Sequence, residues 1–226
     1  MGDAAPFAIE VGDARTTGLR YGADKAGGGA PALVVLAHGA GAPQTHPWMV
    51  KVGRALSALG LDVVTFNFLY AEAGRRAPDR PPVLEATWRA ALEAARSRQS
   101  VAGGRVFIGG KSMGGRIATQ VAAAGSLGPV DGLVLLGYPL HPPGNPGKLR
   151  AAHLPSVKAP MLFVQGARDA FGTPDELGPI VDTLFPGSRL FVVEGGDHSL
   201  ARPKSSGESL DQVIARVAAE VARFIA

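Results

Sequence analysis

The chain has 226 residues, 46% of them hydrophobic, enough for one large core and short for two. Its 23 Lys and Arg against 19 Asp and Glu give a formal charge of +4, but the basic residues are scattered, so a nucleic-acid partner is not expected. The chain has no cysteine, which excludes disulfides and thiolate chemistry, and no run approaches the ~18 apolar residues of a membrane span; the expectation is a cytoplasmic protein without membrane attachment.

Residues 7–11 and 17–21, separated by Gly12 and Asp13, predict an antiparallel edge hairpin, and 27–31 read as a flexible lead-in. An apolar run at 32–37 then precedes a helical stretch at 47–59. The same alternation continues with 61–68 before 82–98, and 105–109 before 113–124. After the run at 132–136 comes a Pro/Gly loop at 139–147. The last two pairs are 160–165 before 173–184, and 189–193 before 209–225. These runs are nearly continuous in apolar character, as in strands buried on both faces. Parallel strands need crossover connections, so the order predicts one domain with a mostly parallel central sheet and helices on both faces.

Directly after the run 105–109 stands Gly110-Lys111-Ser112-Met113-Gly114-Gly115, a Gly-x-Ser-x-Gly pattern in a strand-turn-helix setting. The pattern alone recurs by chance in a chain with 31 glycines; the setting gives it meaning. A serine on such a turn is lifted above the sheet, and glycines on either side remove side chains where backbones approach closely. Two phosphate-binding readings fail. A P-loop ending at Ser112 needs glycine where Arg105 stands, and a dinucleotide fingerprint at Gly39-Ala40-Gly41 needs glycine where Gln44 stands.

A serine hydroxyl needs a base to take its proton and an acid to orient that base. Asp169 follows the run 160–165, and His198 lies in Glu194-Gly195-Gly196-Asp197-His198 after the last run. Taken singly, Asp169 reads as a helix cap and His198 as a solvated loop residue. Together they fall just past successive strand ends, where ligands of open α/β sheets bind, and in the order Ser, Asp, His. His38, His46, His141 and His153 do not follow the final run. Acyl chemistry also needs N–H donors for the oxyanion. Met113 is one; the small-residue turn His38-Gly39-Ala40-Gly41-Ala42 offers Ala40, with Gly41 as the alternate.

These residues resemble the α/β-hydrolase superfamily, in particular its small dienelactone-hydrolase-like branch, over about residues 32–226. The segments 66–76 and 109–116 are similar to those of the little-characterised testis-expressed hydrolase-like proteins. The resemblance implies an α/β-hydrolase fold, a serine nucleophile with a His–Asp pair, no cofactor, no metal and a small-molecule acyl substrate. Dienelactone hydrolases themselves use a cysteine, which this chain lacks. No cap-sized insertion follows 132–136, which predicts an open site without a cap domain, suited to hydrophilic or bulky substrates.

The expected reaction is hydrolysis of a carboxylic ester. The alternatives are an amide or thioester substrate, or a non-catalytic interaction module on the same scaffold. The loop 70–82 should border the site, making Tyr70, Arg75 and Arg76 candidate substrate contacts, with Lys111 and Arg116 as further anion-binding candidates. The competing reading is a loop tied down by ion pairs between Glu72 and these arginines.

Overall fold

The computed structural model describes residues 4–22, 32–98 and 104–226; the lead-in at 27–31 lies outside them. The described strands are β1 (Ala5–Val11), β2 (Ala14–Tyr21), β3 (Leu33–Ala37), β4 (Asp62–Phe66), β5 (Val106–Lys111), β6 (Gly132–Leu136), β7 (Met161–Gly166) and β8 (Arg189–Val193). They form one sheet in the order β1-β2-β4-β3-β5-β6-β7-β8. The β1–β2 hairpin lies antiparallel against β4, and every other neighbour is parallel. Arg20 on β2 ties the hairpin to the sheet through two bonds of 2.8 Å to the Asp62 carboxylate on β4.

The helices are α1 (Pro47–Ala58), α2 (Leu69–Glu72), α3 (Pro81–Arg96), α4 (Met113–Ala123), α5 (Pro174–Val181) and α6 (Leu210–Ile225). Local chemistry sets their starts. His46 Nδ1 accepts from the Trp48 N–H ahead of Pro47, while Thr173 with Glu176 and Ser209 with Gln212 make capping boxes.

Strands β3 to β7 are buried on both faces, and alternate residues divide between two cores. Val35, Ile108, Leu135 and Phe163 pack with Trp88 and Ile117 of α3 and α4. Val34, Leu36, Val134 and Leu162 pack with Leu56 and Val217 of α1 and α6. This is the α/β-hydrolase architecture, with no cap-sized insertion after β6 among the described residues. Strand order reverses between β3 and β5, which opens a crevice at their carboxyl ends.

One expectation is corrected. The run 61–68 does not continue as strand beyond Phe66, and a short helix, α2, follows where a loop was expected. The Phe68 N–H turns away from the ladder and donates to His38 Nε2 at 3.1 Å, which starts the turn.

Candidate active site

Ser112 follows β5 at φ 49°, ψ −116°, a conformation a side chain rarely adopts, and its N–H donates to the Leu136 carbonyl at 3.0 Å. Space explains why the flanking residues are glycine. A Cβ on Gly110 would lie 2.1 Å from the Ala37 carbonyl oxygen, and one on Gly114 would lie 2.4 Å from the same atom. Both meet the end of β3, and a Cβ on Gly115 would lie 2.7 Å from the Gly110 carbonyl oxygen, where α4 closely approaches β5.

Asp169 lies past the end of β7 and is buried. One carboxylate oxygen accepts from the Phe171 N–H at 2.8 Å, and the other from Gln165 Nε2 at 2.8 Å. His198, on the loop after β8, brings Nδ1 to 2.8 Å from Asp169 Oδ2 and Nε2 to 2.9 Å from Ser112 Oγ. A carboxylate only accepts, so Nδ1 carries the proton and the Nε2 lone pair faces the serine hydroxyl. The Phe171 ring covers the imidazole, with centroids 4.2 Å apart. Three loops distant in sequence thus bring hydroxyl, imidazole and carboxylate into one chain of hydrogen bonds.

The loop carrying His198 is also tied to the end of β5 and to α1. Lys111 Nζ donates to the His198 carbonyl oxygen, and Trp48 Nε1 donates to that of Ser199 at 2.8 Å. The Asp197 carboxylate accepts from the N–H groups of Ser199 at 2.7 Å and Ala201 at 3.0 Å. Leu200, at φ 64°, is fully buried beneath. Burial holds the Lys111 pKa down at about 8, against the opposing pull of the Asp169 and Asp197 charges.

Met113 opens α4, so its N–H has no intrahelical partner. Ala40 and Met113 both line a cavity of about 800 Å³; Gly41 is not in its wall. The turn bearing Ala40 is held by His38, which is fully buried. His38 Nδ1 donates to the Gly39 carbonyl at 2.7 Å while Nε2 accepts from Phe68, and burial lowers its pKa to about 4.

Tyr70, Arg75 and Arg76 do not line the cavity. Tyr70 is buried beside the turn bearing Ala40, its ring 5.8 Å from that of His38. Arg75 pairs with Asp79 at 2.7 Å, and Arg76 is exposed. The reason is the anchoring of α2. Glu72 binds Thr17 at 2.7 Å and Asn67 at 2.8 Å, which ties the segment toward the β1–β2 hairpin. The ion pairs anticipated between Glu72 and the arginines are replaced by these bonds and by Arg75–Asp79. Lys111 does line the cavity, although its ammonium is committed to the His198 loop.

Several contributors were not anticipated. Gln165 leaves a trace in sequence, as a polar residue closing an otherwise apolar strand. Trp48, Phe171 and Arg150 reach the cavity from elements whose local patterns say nothing of it. Much of the wall is apolar, through Trp48, Met49, Pro139, Phe171 and Leu210. Among the described residues no group of three His, Asp or Glu side chains is arranged to hold a metal ion, and no helix is long and apolar enough to cross a membrane.

Solved structures of similar shape include an α/β serine hydrolase without a lid from Xanthomonas campestris, with TM-score 0.75 and 18% identity over 100% of this chain and 94% of that one. A dienelactone hydrolase from Anabaena variabilis aligns with TM-score 0.74 and 20% identity over 99% and 97% of the two chains. An α-β serine hydrolase homologue from Coxiella burnetii gives TM-score 0.74 and 18% identity over 100% and 99%. At these identities the likeness is one of fold. The family model described as an alpha/beta hydrolase domain matches residues 30–226. With that match spanning most of its length, the chain belongs to the α/β hydrolase domain family.

Proposed function

We propose that this protein is a serine hydrolase of carboxylic esters, acting through Ser112, His198 and Asp169. The observation that carries the reading is the continuous relay from Ser112 Oγ to His198 Nε2 at 2.9 Å and from His198 Nδ1 to Asp169 at 2.8 Å. His198 takes the hydroxyl proton as Ser112 Oγ attacks the acyl carbon, and Asp169 stabilises the imidazolium that forms. The tetrahedral oxyanion accepts from the N–H groups of Ala40 and Met113. As the intermediate collapses, the C–O bond to the leaving alcohol breaks and the alcohol takes the proton from His198. Water, deprotonated by His198, then attacks the acyl-enzyme, which releases the acid and restores Ser112.

The serine and the 66–76 and 109–116 segments also support placing the chain with the testis-expressed hydrolase-like proteins, whose substrates are not established, and the continuous cores support a single domain. A fluorophosphonate probe tests the reading. Folded protein should form an adduct at Ser112 that disappears in Ser112→Ala. Absence of labelling under conditions that label a control esterase would instead favour a non-catalytic module. Comparing oxygen, sulfur and nitrogen leaving groups separates ester hydrolysis from thioester and amide hydrolysis.

A further inference from the structure

The wall of the cavity beside Ser112 contains four Lys or Arg side chains, Lys51, Lys111, Arg116 and Arg150, and, among the described residues, no carboxylate. Two of them are engaged. Lys111 donates to the His198 carbonyl, and Lys51 pairs with Asp211 at the rim. Arg116 stands in the first turn of α4, and it and Ser112 both line the cavity. Its guanidinium reaches Gln120 Oε1 at 3.3 Å, and its buried Nε has no hydrogen-bond partner.

Arg150 approaches from the segment after β6, and its backbone is what holds it. Its N–H donates to the Leu140 carbonyl at 2.7 Å, and its own carbonyl accepts from the Tyr138 hydroxyl at 2.7 Å. Burial and the nearby Arg150 charge both depress the Arg116 pKa. Two like charges therefore share a partly desolvated wall with no counter-charge, an arrangement that a bound anion stabilises.

We propose that Arg116 and Arg150 form an anion-binding fork for a carboxylate on the substrate, so that the preferred ester has an apolar body and a free carboxylate, as in a half-ester of a dicarboxylic acid. The planar guanidinium matches a carboxylate in two-point geometry, and Trp48, Met49, Pro139 and Phe171 accommodate the hydrocarbon part. The substrate class rests on Ser112 being the nucleophile; the fork itself does not.

The test compares kcat/KM for two matched pairs. One pair carries the charge on the acyl side (p-nitrophenyl hydrogen glutarate against p-nitrophenyl butyrate). The other carries it on the alcohol side (p-carboxyphenyl butyrate against its methyl ester). The wild type should favour the anionic member of one pair, and Arg116→Gln and Arg150→Gln should each lower that anionic-to-neutral ratio by roughly 10- to 100-fold, the size of a lost charge-assisted hydrogen bond. Lysine at either position should restore part of it. Calorimetric titration of Ser112→Ala with monomethyl glutarate reads binding without chemistry, and the same arginine exchanges should weaken it. No preference in either pair, an unchanged titration, or an equal fall of the ratio in Arg75→Ala/Arg76→Ala would overturn the fork. Loss of all turnover and labelling in the wild type would overturn the nucleophile reading instead, leaving the titration to decide the fork.

Discussion

The Lys111 ammonium donates to the carbonyl oxygen of His198, so the residue immediately before the candidate nucleophile holds the loop that carries its candidate base. Lys111→Met removes this donor. We expect kcat for a neutral ester to fall about 10- to 100-fold, since a hydrogen bond from a charged group is lost, with a smaller change in KM. Because Lys111 titrates at about 8, charge assistance is present below that pH and declines above it. A decline of wild-type kcat above this pH that is missing in Lys111→Met would be the signature, and identical profiles would refute the role.

Ser112 and His198 act as one unit in the proposed mechanism. Ser112→Ala and His198→Ala should each lower turnover by about 10⁴ to 10⁶, and the double variant should be scarcely worse than either alone. Multiplying effects in single-turnover assays would mean that the two groups work independently.

His38 supplies a pH dependence of stability. Its pKa is about 4 in the fold and 6.5 when unperturbed, so between these values the unfolded chain takes up a proton that the folded protein refuses. Stability is intact above pH 6.5 and falls as the pH drops toward 4, by roughly 3 kcal/mol at about 1.4 kcal/mol per unit. Urea unfolding across this range should show a shallower slope in His38→Gln; equal slopes would assign the loss elsewhere.

Gly114→Ala should cost about 3 kcal/mol or more, because the added methyl meets the Ala37 carbonyl at 2.4 Å and backbone cannot yield. Gly39→Ala, whose Cβ would find its nearest neighbour at 3.4 Å, should be much milder. Thermal unfolding ranks the two, and the reverse order would show that the turn is looser than described.

Local patterns carried most of the architecture. The apolar runs at 132–136 and 189–193 coincide with β6 and β8, and α1 begins at the Pro47 that was anticipated. The relay geometry was legible because strand ends of a parallel sheet share one edge, which turns sequence order into spatial proximity. What escaped was set by contacts between distant segments. Phe68 carries no sign that its N–H leaves the ladder, and Arg75 looks as apt for the cavity as Arg116 until Glu72 is seen to bind Thr17. The direction of Lys111 depends on a loop that begins more than eighty residues later.

The multiple ties on the loop around His198, from Lys111, Trp48, the Asp197 carboxylate and buried Leu200, mean that the imidazole is in position before any ligand arrives. No binding energy is then spent on assembling the machinery, and none is available for induced fit that would reject poor substrates at a closing step. In the proposed mechanism discrimination then falls to the walls of the cavity, so exchanging a few wall side chains should redirect the proposed hydrolase toward other acyl compounds without rebuilding it.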